Sequence, residues 1–118
     1  MSRAILVSGD LFFGSKLSGA AGMAGVKLET VRDVADLRQT LSANADGVTL
    51  VLLDLTLSGL NLAGAVETVR AAVGDSARVI AYGPHVLEGA LQAAEEAGCD
   101  DVLTRGALNA RLGELFRG

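Results

Sequence analysis

Short apolar runs alternate along this chain with longer stretches in which apolar residues recur every three or four positions. The first pattern marks β-strands and the second marks amphipathic helices. Strands are predicted over residues 3–8, 26–31, 48–53, 78–82 and 101–104. Helices are predicted over residues 11–24, 34–43, 60–73, 86–97 and 107–117. Val66, Val69 and Val73 share one stripe of the third helix, and Leu108, Leu112, Leu115 and Phe116 share one stripe of the fifth. Asp33 is placed to cap the second helix, with Asp36 near its positive end. Gly98 is placed to end the fourth in a left-handed turn. Strand–helix alternation with short connections implies an α/β fold, a parallel sheet covered by helices on both faces.

Strand composition suggests the order. Ile5-Leu6-Val7 and the run 48–53 are almost continuously apolar, as central strands covered on both faces should be. Val26-Lys27-Leu28-Glu29 alternates, and Asp101-Val102-Leu103-Thr104 is short with polar ends, so these read as edges. The expected arrangement is a five-stranded parallel sheet of order 2-1-3-4-5, a flavodoxin-like (βα)5 doubly wound fold. Its topological switch lies between strands 1 and 3, where open α/β sheets bind their ligands. Asp10 follows strand 1 and Asp54 follows strand 3, so the two carboxylates should face each other across that crevice.

Composition narrows the partners. The 118 residues suit a single domain, 1–118, with a real core. Half of them are apolar, but there is no Trp, one Tyr and three Phe. The net charge is −4 and no Lys/Arg cluster exists, which argues against nucleic acid or an anionic membrane as partner. No apolar stretch approaches the roughly 20 residues of a membrane helix. The apolar part of the N-terminus is too short for a signal peptide. The lone Cys99 fits a small packed thiol in a reducing compartment. The expected location is the cytoplasm.

Three stretches carry a family resemblance. They are Ile5-Leu6-Val7-Ser8-Gly9-Asp10, Val51-Leu52-Leu53-Asp54-Leu55, and Ala97-Gly98-Cys99-Asp100-Asp101-Val102-Leu103-Thr104-Arg105. Together they resemble the CheY-like receiver domain of bacterial two-component response regulators, over essentially the whole chain. The last stretch is the most specific, through its Ala-Gly-x-Asp-Asp core. The resemblance implies a strand-1 acid pair and a phosphoacceptor aspartate holding Mg²⁺. It also implies a Thr or Ser after strand 4 and a lysine after strand 5 that bind phosphoryl oxygens, and a switch aromatic on strand 5.

The chain departs from that pattern at most of these positions. Gly9 stands in place of one acid, Gly83 in place of the Thr/Ser, Arg105 and Gly106 in place of lysine and proline, and Val102 in place of the aromatic. Asp10 and Asp54 alone are unchanged. Asp54 is the candidate phosphoacceptor, with a structural or partner-contacting carboxylate as its other reading. Asp10 and Asp54 would hold Mg²⁺ only weakly, since the third acid is missing; Asp10 also qualifies as the cap of helix 1. Arg105 keeps the positive charge of the lysine but offers a planar fork rather than a point charge, and is expected to reach Asp54 as an ion pair. The pattern is that of a divergent receiver, or pseudo-receiver.

His85, after strand 4, would sit at the crevice mouth beside Asp10, Asp54, Gly83 and Arg105, but no Ser or Cys is paired with it as a nucleophile. Gly19, Gly22 and Gly25 have a phosphate-loop spacing, yet they follow strand 1 at too great a distance. Cys99 has no metal-binding companions. Of Phe12 and Phe13, at least one should be buried.

The expected function is a stand-alone receiver-like signalling module, not an enzyme, that acts by contact with a kinase or downstream target. A homodimer through the 86–117 face, rimmed by Glu88, Glu95, Glu96, Arg111 and Glu114, is a further expectation. The alternatives are a working phosphoacceptor at Asp54 in a phosphorelay, and a small enzyme or ligand binder using the crevice.

Overall fold

The computed structural model describes residues 2–117. The elements are β1 (Arg3–Val7), α1 (Leu11–Met23), β2 (Lys27–Val31), α2 (Val34–Ala43), β3 (Val48–Asp54), α3 (Leu62–Val73), β4 (Arg78–Gly83), α4 (Glu88–Glu96), β5 (Asp101–Thr104), α5 (Arg105–Ala110) and α6 (Leu112–Leu115). The five strands form one parallel sheet in the order β2-β1-β3-β4-β5, as the apolar patterning predicts.

Alternation along each strand sends side chains to opposite faces. Ile5, Val7, Val51, Leu53, Val79 and Ala81 meet Leu37, Leu41, Val66, Val69 and Ala94 from α2, α3 and α4. Leu6, Leu52, Ile80 and Tyr82 meet Phe13, Leu17, Leu108, Leu115 and Phe116 from α1, α5 and α6. The central strands β1, β3 and β4 are therefore buried on both faces, while β2 and β5 keep partly exposed positions.

Local signals behave as their chemistry requires. Asp33 accepts from the Asp36 N–H at 2.7 Å and Asp36 from the Arg32 N–H, closing the start of α2 from both sides. Gly98 takes φ = 94° just past α4, where a Cβ would be strained. The Ala-Gly-x-Asp-Asp run is thereby largely explained as folding chemistry. Asp100 Oδ2 accepts from the Val79 N–H at 2.7 Å and from Arg70 at 2.9 Å, and Asp101 pairs with Arg78. These contacts tie the α4–β5 turn to the start of β4 and to the end of α3. Burial by itself would raise the Asp100 carboxyl, but the Arg70 and Val79 hydrogen bonds and the neighbouring arginine charges outweigh it and hold it below its ordinary value.

Several predicted boundaries move. The fifth helix begins at Arg105 rather than at residue 107, because Thr104 Oγ1 accepts from the Ala107 N–H and caps it directly off β5. It then breaks at Arg111; Gly106 and Gly113 on either side are weak helix formers, and the break lets Leu115 and Phe116 turn into the core. The third helix starts at Leu62, not at residue 60, since Asn61 accepts from the Gly64 N–H and acts as its cap. The fourth starts at Glu88 because the chain from Pro84 to Leu87 closes a turn. β3 and β4 each run one residue further, with Asp54 opposite Tyr82 and Gly83 opposite Thr104. Ser8 falls just beyond β1, Val26 just before β2, and Ala24 just beyond α1.

Candidate functional site: the crevice at the ends of β1 and β3

Asp54 is the last residue of β3 and only 2% exposed. Its position follows from the run before it, which needs an interior strand, and from the turn after it, which starts at Leu55. A buried carboxylate requires partners, and Asp54 has three donors. The Ser8 hydroxyl donates to Oδ2 at 2.6 Å. The Thr56 N–H and the Thr56 hydroxyl both donate to Oδ1, at 2.9 and 2.6 Å.

Asp10 sits across the crevice as the cap of α1. Its Oδ1 accepts from the Phe13 N–H at 3.1 Å, and its own N–H donates to Ser8 Oγ at 3.0 Å. Ser8 thus stands between the two carboxylates, bonded to both residues. The Phe13 N–H is the main cause holding the Asp10 carboxyl below its ordinary value; burial opposes it, and the Arg105 charge and hydrogen bond add to the lowering.

Arg105 corrects one expectation. It pairs with Asp10 Oδ2, not with Asp54. The reason is geometric and energetic together. Arg105 opens α5, and its guanidinium lies over the Phe13 ring, 4.6 Å from the centroid. Phe13 leads from the Asp10 cap, so ring and carboxylate offer a joint seat, whereas the Asp54 oxygens are already taken.

Beneath this layer, the Tyr82 ring lies 5.4 Å from that of Phe13. Its buried hydroxyl has no hydrogen-bond partner among the described residues. Burial first, and the Asp54 charge second, push the Tyr82 phenol well above its ordinary value.

The open part of the crevice is a cleft of about 330 Å³ lined by Gly9, Asp10, Thr56, Leu57 and Ser58. Gly83 and His85 do not line it. A Cβ on Gly83 would lie 3.2 Å from the Leu55 Cβ, so a Thr or Ser there would need Leu55 to give by a few tenths of an ångström. A Cβ on Gly9 would meet only Leu57, at an ordinary 3.6 Å. His85 is exposed in the Pro84–Leu87 turn and takes no part in the hydrogen bonds of Ser8, Asp10, Asp54 and Thr56. Cys99 packs against the core as expected, and burial together with the Asp100 charge pushes its thiol up to about 11. Phe13 is buried and Phe12 is 93% exposed. Gly19 and Gly22 meet no neighbour that a side chain would disturb, and Gly25 turns the chain out of α1 at φ = 73°.

The donor set as arranged fits Mg²⁺ poorly. That ion demands near-octahedral oxygen ligands, and both oxygens of Asp10 and both of Asp54 already accept from protein donors. The Arg105 guanidinium beside Asp10 would also repel a second cation. No group of three or more His, Cys, Asp or Glu capable of holding a metal exists among the described residues.

Sequence reasoning missed Ser8 and Thr56, the two residues that satisfy Asp54. Both had a readable signal: Ser8 is the one polar residue closing an apolar central run, and Thr56 lies two residues beyond the buried acid, where an Asx-type turn places its donors.

No protein-family model matches the chain, and no curated protein matches it by sequence. Solved structures do match in shape. The receiver domain of the TMAO respiratory system response regulator TorR superimposes with a TM-score of 0.78 at 19% identity, covering 98% of this chain and 96% of that one. The receiver domain of a sensor histidine kinase from Pseudomonas aeruginosa, with a magnesium ion coordinated in its active-site cleft, gives 0.75 at 19% identity over 99% and 98%. The beryllofluoride-activated receiver domain dimer of NtrC4 gives 0.76 at 15% identity over 98% and 97%. The fold is that of response-regulator receiver domains, from end to end.

Proposed function

We propose that this domain is a receiver-type signalling module that works by binding another protein, and that phosphorylation of Asp54 is weak or absent. One observation carries this reading: the parts that would receive a phosphoryl group are occupied by one another. Asp54 accepts from Ser8 and Thr56. Arg105 is committed to Asp10 and Phe13. Hydrogen bonds to a carboxylate stabilise its charge and lower its readiness to attack phosphorus. The position of the missing hydroxyl, Gly83, is crowded by Leu55.

The partner is a kinase or a downstream protein rather than nucleic acid or membrane. Among the described residues no helix is long and apolar enough to cross a bilayer, and the cytoplasm is the compartment this reading assumes. The contact face is 86–117, where Glu88, Glu95, Glu96, Arg111 and Glu114 are all exposed, with self-association through it as one form of that contact. The NtrC4 neighbour is a dimer, which supports self-association by analogy.

A working phosphoacceptor is the second reading. What favours it is the placement of Asp54 at the carboxyl end of β3, beside an open cleft. An enzyme built on the crevice has less support, since His85 and Gly83 lie outside the cleft. The test is amide NMR with Mg²⁺ and then beryllofluoride, followed by mass spectrometry after acetyl phosphate. The proposed reading expects an unchanged spectrum and no phosphoryl adduct. Saturable shifts at Gly9, Asp10, Asp54 and Thr56 together with an adduct on Asp54 would establish the second reading instead.

A further inference from the structure

A second and larger cavity, about 530 Å³, lies at the opposite end of the sheet, where the strands begin. Its size is that of a small-molecule site. It owes its existence to the break at Arg111. The chain turns there and plants Leu115 and Phe116 against the α1 side of the sheet, leaving a groove between that plug and the turn from α1 into β2. Val26, Leu50, Leu115 and Phe116 make an apolar floor.

The charged lining is one-sided. Arg78 and Arg117 border the groove and no Asp or Glu does, in a chain whose net charge is −4. The Thr49 and Ser76 hydroxyls already donate to the Arg3 and Val73 carbonyls, so the side-chain donors left are the exposed Ser2 hydroxyl and the guanidinium groups, and only the latter carry charge. Arg78 commits one nitrogen to Asp101, and its side chain is 53% exposed. A guanidinium has five N–H donors, so most of the fork stays available. Arg117 makes no ion pair among the described residues.

We propose that this groove binds a small molecule with an aliphatic body and a carboxylate head, the body on Leu50 and Phe116 and the head between Arg78 and Arg117. An apolar floor alone would accept any hydrophobe. Arg117, which has no acid partner among the described residues, and the unpaired part of the Arg78 fork together favour an anion, and a planar fork matches a carboxylate best. The site is independent of the crevice and of what happens at Asp54.

Octanoate titrated into the full chain and followed by amide NMR tests this, with octanol and octylamine as comparators. Saturable shifts are expected at Val26, Leu50, Arg78 and Phe116 with octanoate, and none at Gly9, Asp10 or Thr56. The double variant Arg78→Gln, Arg117→Gln should weaken octanoate about tenfold, in line with loss of charge-assisted hydrogen bonds. Arg117→Gln alone, beyond the last helix, preserves the fold and should weaken it about threefold. Equal binding of octanol or octylamine, no saturable octanoate binding, or unchanged octanoate affinity in Arg117→Gln would overturn the assignment.

Discussion

Arg105 forms an ion pair with Asp10, 95 residues earlier in the chain, while its guanidinium rests on the Phe13 ring. This contact joins the start of α5 to the start of α1 over the mouth of the crevice. It places a fixed cation of the protein beside one of the two carboxylates that the receiver resemblance assigns to a metal ion.

Replacing Arg105 with Gln tests that substitution of charge. The pair is partly exposed, at 44% and 26%, so ion pair and cation–π contact together should contribute about 1 kcal/mol. Urea denaturation should register a loss of that size. The same variant should show Mg²⁺-dependent amide shifts at Asp10 larger than those of the parent chain. Equal Mg²⁺ responses would mean that Arg105 is not what keeps the ion out.

Ser8→Ala removes the donor to Asp54 Oδ2 and leaves a buried carboxylate oxygen unsatisfied. The expected cost is about 1–3 kcal/mol, the range for losing a hydrogen bond to a buried charged group. Thr56→Val should cost less, because the Thr56 N–H still donates to Oδ1. Chemical denaturation of the two variants orders them. A harmless Ser8→Ala would mean that Asp54 relies on other partners.

At Gly83 the limit is steric. Gly83→Thr should destabilise the domain by about 1–3 kcal/mol through overpacking against Leu55, and Leu55→Ala in the same chain should recover part of that loss. Gly9→Asp has room and should fold as the parent does, because its Cβ meets Leu57 at 3.6 Å. Thermal melts of the parent, Gly83→Thr, Leu55→Ala and the double variant give the coupling directly, and a fifth melt checks Gly9→Asp.

Acid should act early through Asp100 and Asp10. Both carboxyls are held below their ordinary value of 3.8 in the folded protein. A depressed folded pKa contributes stability that is fully present above the unfolded value and lost as pH falls through the folded one. Stability should therefore be level above about pH 5 and decline below pH 3.8. Asp100→Asn should lower stability at neutral pH and flatten the acid limb, which urea denaturation at a series of pH values would reveal.

Cys99 should be a sluggish thiol. With its pKa pushed up to about 11, little thiolate exists near pH 8. Its reaction with a disulfide reagent in the native protein should be at least about tenfold slower than in the unfolded chain. A native rate equal to the unfolded one would show that the α4–β5 turn opens readily.

The apolar runs by themselves determined the sheet, its order and its edges. A strand covered on both faces must be apolar throughout, and one covered on a single face must alternate, so burial is written directly into composition. Asp10, Asp33 and Gly98 were legible as helix ends for a similar reason, since capping depends on residues only a few positions apart. Tertiary structure alone decided the chemistry of the crevice. Whether Arg105 would choose Asp10 or Asp54 depended on the Phe13 ring and on two hydroxyls having already satisfied Asp54. Likewise, the break at Arg111 became visible only once Leu115 and Phe116 had a core to enter. Local sequence specifies which elements form because their signals lie within a few residues. The partner of a charge is chosen among groups up to 95 residues apart, by competition that exists only after the chain has folded.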